Sequence, residues 1–374
     1  MIELQKIKLG EVLDVKRGMS LSGDYYATEG DYIRLTLGNF NYPECGWKEN
    51  TSKDNLYYTG KIRDEFLLQK GDIITPLTEQ VRGLLGNTAT IPIDGIYIQS
   101  GDIGLVLPNE KKLNKRFSYY LIASDLVKKQ LDSGSQQTKI RHTSPDAIKE
   151  CIAFVPNLFA QGKISRLLDL IGDKIDKNNK INDNLQQVIK SCFDFMFAIR
   201  KPNGIISDIL QEHPKSTIQV NDSTGVLGDY PFFTSGEAIN EWQSALVDGM
   251  NCYLSTGGNA TIKGYYGKAA YSTDTWCVCG KGEYSFYLFC YLKSIIRSIN
   301  DSFFAGSGLK HLQKDSLLLV NLYIPSEKEL EKFNSIVKPA METMAKLFIE
   351  TKKLKQQRDF LLPLLMNGQA TIAE

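Results

Sequence analysis

The sequence predicts an α+β fold in which two copies of one globular unit are joined by two long helices. The helices pack as an antiparallel coiled coil, and a pseudo-two-fold axis relates the copies. Three observations predict this: anchors that recur in register in both halves, a heptad seam closing each half, and short strand-like segments ahead of each seam.

The anchors come first. Gly30-Asp31-Tyr32 with Thr36 and Gly38 is echoed by Gly228-Asp229-Tyr230 with Thr234 and Gly236. A glycine-rich loop follows each, Thr78 to Gly86 and then Ser255 to Gly267. Phe117-Ser118-Tyr119-Tyr120-Leu121 is echoed by Tyr284-Ser285-Phe286-Tyr287-Leu288, and Gly134-Ser135 by Gly306-Ser307. A strand-like stretch then ends at Pro156 or Pro325. Any one match is weak, but the shared order is hard to reach by chance. The period is far too long for a solenoid, so the pattern reads as one domain duplicated within a chain.

The seams come next. Ile164, Leu168, Ile171, Ile175, Asn178, Asn182, Leu185, Ile189, Cys192 and Met196 are spaced alternately by four and three. Phe333, Val337, Ala340, Met344, Leu347, Thr351, Leu354, Arg358, Leu361 and Leu365 repeat that spacing. Sustained a/d periodicity of this length is the signature of a coiled coil. A helix of about 40 residues is roughly 60 Å long, more than one small domain needs, so the two seams are expected to pack on each other. Asn178 and Asn182 are the expected register-setters. Pro202 and Gly204 end the first helix, while Pro339 and Pro363 are expected to disturb the second. The expected divisions are 1–156 and 202–325 for the globular units, and 157–201 and 326–374 for the helices.

Within the globular units, Lys70-Gly71-Asp72-Ile73-Ile74 reads as a turn entering a strand, and Gly95 to Ile98 and Ile103 to Leu107 as short strands. Phe117 to Leu131 and Tyr284 to Ile299 read as short helices, and Leu317 to Ile324 as a strand. Net charge is +1, far from that of a protein that coats DNA non-specifically, so any nucleic-acid contact must rest on local patches or a partner's charge. The cysteines number seven with no framework spacing, and the N-terminus has no export-signal pattern, which together fit a reducing cytoplasm. No apolar run approaches the roughly 18–20 residues that span a bilayer.

Catalytic chemistry is hard to place. Asp301 to Gly308 resembles the cofactor loop of a DNA methyltransferase, but such a loop should leave a strand and open a helix, and the chain has no Pro-Pro for an adenine methyltransferase tetrapeptide. There is no Walker A sequence. Cys277 and Cys279, one residue apart beside Trp276 and Val278, fit strand alternation better than a zinc site, so no metal is expected. The histidines are His142, His213 and His311, and none sits in a nucleophile–acid signature.

A duplicated globular unit with a long helix after each copy resembles the specificity subunit of type I restriction-modification enzymes. The resemblance extends to Leu9-Gly10-Glu11-Val12-Leu13-Asp14-Val15-Lys16-Arg17-Gly18, similar to the opening of that family's target recognition domain. It extends also to the loop Ser255 to Gly264, the turn Gly306 to Leu312 and the helix ending Arg358 to Gly368. The first half departs from the pattern in its loop Glu79 to Asn87 and in Gln136 to His142.

The resemblance implies a non-catalytic, sequence-specific subunit for phage defence that binds double-stranded DNA. It implies partner modification (methyltransferase) subunits using S-adenosylmethionine, and a restriction subunit driven by ATP and Mg, with no cofactor and no membrane contact in this chain. Two recognition domains reading different half-sites imply a bipartite target around a spacer set by stiff helices. The competing readings are a self-contained adenine DNA methyltransferase and a coiled-coil adaptor that binds only protein.

Base readout needs Arg, Lys, Asn, Gln, Ser and Thr on loops able to reach groove edges. In the first half these are Arg34, Gln80, Arg82, Asn87, Gln136, Gln137, Lys139 and Arg141. In the second they are Ser255, Thr256, Asn259, Thr261, Lys263, Ser307, Lys310 and His311.

Overall fold

The computed structural model describes residues 4–42, 44–134, 141–306, 308, 310–370 and 372. The chain divides into two compact units. The first combines Met1–Asp173 with Leu354–Glu374; the second is Lys174–Lys353.

In the first unit an antiparallel sheet runs in the order Leu13–Arg17, Ile103–Pro108, Ile73–Pro76, Ala89–Thr90. Val106 lies opposite both Val15 and Ile73, and these three share a core with Phe117, Leu121 and Val127 of the helices Lys115–Ile122 and Asp125–Gly134. Leu105 and Ile74, also paired, face a second core with Leu35, Phe40 and Tyr97. Burial on both faces explains why Ile103 to Leu107 is apolar without alternation. A smaller sheet orders Tyr26–Ala27, Tyr57–Tyr58, Ile33–Arg34 and Tyr97–Ile98, the last two parallel. The helix expected over 117–131 is interrupted near Ser124, whose hydroxyl donates to the Leu121 carbonyl at 2.7 Å.

The second unit repeats the plan. Its main sheet orders Leu210–Glu212, Thr275–Gly280, Met250–Ser255 and Ile262–Tyr266. Cys252, Leu254 and Val278 face one core; Tyr253, Cys277 and Tyr265 face another. Cys277 and Cys279 are strand residues, as alternation implied. The smaller sheet again contains one parallel pair, Tyr230–Phe233 with Ala270–Tyr271, entered from the repeated Gly-Asp-Tyr anchor. The helices Ser285–Ser294 and Ile296–Ser302 follow. Matching strand orders with matching parallel pairs bear out the duplication. The segment 317–324 departs from expectation: it forms a short helix, Lys314–Leu318, and a two-residue strand, Asn321–Leu322, paired with Gly204–Ile205. Leu317 and Leu322 are both buried there, and an apolar run this short has no period by which strand and helix can be told apart.

The long helices are Leu158–Phe197 and Glu327–Met366. The second is helical throughout, so neither Pro339 nor Pro363 interrupts it. Each helix is divided between the units. In the first unit Ile164 and Leu168 share a core with Leu361, Leu362, Leu365 and Met366. In the second Ile189, Phe193 and Phe197 share one with Leu330, Phe333, Val337, Ala340 and Met341, and Leu185 and Met344 pack against it. Buried Asn178 donates to Thr351 Oγ1 at 3.2 Å and Glu350 Oε2 at 2.9 Å, fixing the register between the helices in this unit. Ile171 and Ile175 are buried, while Leu347 and Leu354 are half-buried. The seam drifts at its end, where Phe193 and Phe197 are buried and the predicted Cys192 and Met196 only flank them. An α-helix gains about 20° on a strict heptad each repeat, which brings the next residue round to the seam.

Candidate nucleic-acid interface

Each unit presents a glycine-rich loop backed by a second loop, and in both the backing is a short antiparallel pairing. In the second unit the loop joins the strands Met250–Ser255 and Ile262–Tyr266. Ser255 Oγ accepts from Thr261 N at 2.9 Å and donates to the Asn259 carbonyl at 2.8 Å, so a buried hydroxyl closes the turn from inside. Gly258 has φ +78° with open space where a Cβ would stand, so the glycine serves backbone conformation and not close packing. Its N–H donates to the Lys310 carbonyl at 3.0 Å, Leu312 N donates to the Thr256 carbonyl at 3.0 Å, and Gly257 bridges His311. The two loops therefore form one surface, from which Asn259, Lys310 and His311 project into solvent.

The remaining candidates of this unit serve the scaffold. Thr256 Oγ1 donates to the Asp274 carbonyl at 2.7 Å, and Thr261 Oγ1 to that of Ser235 at 3.1 Å. Lys263 Nζ donates to the carbonyls of Thr234 at 2.9 Å, Ala238 at 3.3 Å and Gly236, pinning the loop between the strands of the smaller sheet. Burial lowers the pKa of this ammonium. Ser307 lies outside the described residues.

In the first unit the loop leaves Thr78–Glu79, which pairs antiparallel with Arg141–His142. Glu79 is 2% exposed, and its Oε2 accepts from the N–H groups of Gly83, Leu84 and Leu85 at 3.0, 2.9 and 3.0 Å. One carboxylate thus organises the whole turn, with Gly83 at φ +97° allowing the chain to curl around it. Arg141 NH1 lies 2.9 Å from Glu79 Oε1 and 2.6 Å from Asp132 Oδ1, and its NH2 donates to the Asp132 carbonyl. Arg82, at the loop tip, donates from Nε and NH2 to the two Asp132 oxygens at 3.1 and 2.6 Å. The guanidiniums of Arg82 and Arg141 hold the Asp132 carboxyl well below the usual carboxylate range.

Gln80 and Val81 are exposed beside Arg82. Two further candidates lie inside the fold. Arg34 is 6% exposed, stacked 3.7 Å over the Tyr26 ring and bonded to the Asn55 carbonyl at 3.1 Å. Asn87 is fully buried, its Oδ1 accepting from Lys128 Nζ at 2.5 Å and Cys45 Sγ at 3.2 Å. Neither side chain reaches the surface, because each satisfies polar groups that folding removes from water. Gln136, Gln137 and Lys139 lie outside the described residues.

Sequence reasoning missed Glu79 and Asp132 as organisers of this surface, and Tyr42, whose hydroxyl donates to the Arg82 carbonyl at 3.0 Å. No sequence signal marks Asp132 as the residue that holds Arg82, which lies fifty residues away. Among the described residues no group of three or more His, Cys, Asp and Glu is gathered as a metal site, and no helix is long and apolar enough to cross a membrane.

Residues 1–187 match the family described as type I restriction modification DNA specificity domain. The specificity subunit of the type I restriction enzyme EcoDI of Escherichia coli is 28% identical over 151 residues, 38% of this chain. That stretch spans 33% of the curated relative, about a third of its length. The crystal structure of a type I restriction-modification S subunit from M. genitalium superposes with a TM-score of 0.67 at 15% identity, covering 98% of this chain and 96% of the other. The likeness to that subunit is one of fold.

Proposed function

The chain belongs to the type I restriction modification DNA specificity family, and from that membership we propose that it is the DNA-reading subunit of a restriction-modification complex. Each unit reads one half of a bipartite double-stranded target through its glycine-rich loop and the loop that backs it. The observation that carries the reading is the repetition of that loop pair at the same place in two units of one plan, with different exposed side chains. Gln80 and Arg82 stand where the second unit displays Asn259, Lys310 and His311. Loops that differ on a shared frame suit two unlike half-sites.

The chain is proposed to have no catalytic activity of its own. Methyl transfer is assigned to modification subunits carrying S-adenosylmethionine, and ATP- and Mg-dependent cleavage to a restriction subunit, all acting in the cytoplasm. Comparing genome methylation in cells with and without this chain tests the proposal. The expected result is loss of adenine methylation at one bipartite motif. Unchanged methylation, or loss at a motif without a spacer, would overturn it.

A further inference from the structure

Arg82 is the most exposed member of a chain of alternating charges that begins inside the first unit. Glu79, buried, neutralises Arg141; Arg141 holds Asp132; Asp132 holds Arg82, whose side chain is 77% exposed. An exposed arginine normally samples many rotamers, and fixing one is entropically unfavourable. Here the fixing is already done from below. The Arg82 backbone is held too, its carbonyl accepting from Tyr42 Oη at 3.0 Å, and the next three N–H groups of the loop are tied to Glu79.

The geometry of the fork matters. A guanidinium has a side edge, Nε with NH2, and an end edge, NH1 with NH2, and each can donate two parallel hydrogen bonds. Asp132 occupies the side edge of Arg82. The end edge, at the tip of an exposed side chain, remains for a ligand. Two acceptors side by side in one plane are what the major-groove edge of guanine presents, O6 and N7. A phosphate oxygen, by contrast, gains little from an arginine whose charge is already balanced by a carboxylate in contact with it.

We infer that Arg82 reads a guanine in the half-site of the first unit through its NH1–NH2 edge, and that Asp132 is the positioning residue that aims it. The inference rests on the proposed DNA-reading role and names the base that the role requires at this loop.

The test uses the full chain assembled with its methyltransferase subunits, on duplexes carrying the target mapped by genome methylation. Each guanine of the half-site assigned to the first unit is replaced singly by 7-deazaguanine, which lacks the N7 acceptor. For the parent complex, one replacement is expected to weaken binding by part of the about 5- to 150-fold that a whole bidentate base contact is worth, since N7 is lost and O6 is kept. Arg82→Lys, which keeps the charge on an exposed side chain, should bind the natural site more weakly and lose the response to that replacement. Asp132→Asn should retain Arg82 and the salt dependence of binding, yet discriminate less between guanine and other bases at that position; Asp132→Glu should recover part of it. A melting temperature for each variant separates misfolding from misreading. A half-site without guanine, or a 7-deazaguanine response that survives Arg82→Lys, overturns the inference. So does a uniform loss of affinity with a shallower salt slope, the mark of a phosphate contact. A parent complex that shows no site preference would instead remove the underlying DNA-reading proposal.

Discussion

Phe193 and Phe195 lie two residues apart on the first long helix and make opposite predictions. Phe193 is 6% exposed and its ring centroid lies 5.7 Å from those of both Phe197 and Tyr287 and 6.3 Å from that of Phe333. Phe195 is 90% exposed. Truncating a buried phenylalanine to alanine costs about 3–5 kcal/mol, from lost transfer free energy and the cavity left behind. Phe193 belongs at the upper part of that range, because each aromatic pair adds about 0.5–1.5 kcal/mol beyond area burial. For a domain of roughly 150–250 residues each kcal/mol moves the midpoint by about 2–4 °C, so a loss of about 4–5 kcal/mol should make Phe193→Ala melt about 8–20 °C below the parent. Phe195→Ala should stay within about 0.5 kcal/mol. Scanning calorimetry of both variants reads the result directly. Equal loss in the two variants, or no loss in Phe193→Ala, would refute the assignment of the drifted seam to Phe193 and Phe197.

Exchanging residues 1–156 for the matching segment of a relative should alter one half of the methylated motif and leave the other; a change in both halves would show that the loops do not read separately. Deleting one matched heptad from each long helix removes roughly 10 Å of rod, and the mapped spacer should change by a few base pairs, so a spacer indifferent to helix length would rule out a rigid ruler. Because Arg82 and Arg141 depress the pKa of Asp132, its stabilising contribution is complete above the ordinary aspartate range near pH ~4 and is lost as the pH falls through the lower folded value. Asp132→Asn should therefore flatten the acid limb of the melting profile, and an acid limb as steep as the parent's would contradict the pairing.

The duplication, the two long helices and the α+β character were written in the sequence because they are periodic properties. A seam spaced by four and three buries one face of any helix that carries it, whatever lies around it, and repeated anchors dictate repeated turns. Periodicity also carried its own error. A strict heptad names Cys192 and Met196, whereas the accumulated rotation of the helix buries Phe193 and Phe197. The stretch 317–324 failed for a different reason: a short apolar run has no period, so strand and helical turn cannot be told apart locally.

At the candidate interface the sequence nominated loops but did not reveal which side chains they display. Residue type alone cannot separate Arg82 from Arg34, since both are arginines near glycine-rich turns. One is held at the surface by Asp132, and the other is stacked on Tyr26 beneath it. Ser255, Lys263 and Asn87 likewise have the chemistry of readers and serve instead to close turns and satisfy carbonyls and amides inside the fold. For Asn87, Arg82 and Lys263 the decisive partner is distant in sequence, forty-one, fifty and twenty-nine residues away. Polar side chains bind whatever folding brings within about 3 Å, and that distance is set by how the strands and helices pack. The residues of this sequence thus determine the repeated frame and its seams, while the tertiary structure alone decides which polar groups are consumed in building the loops and which are left to meet a ligand.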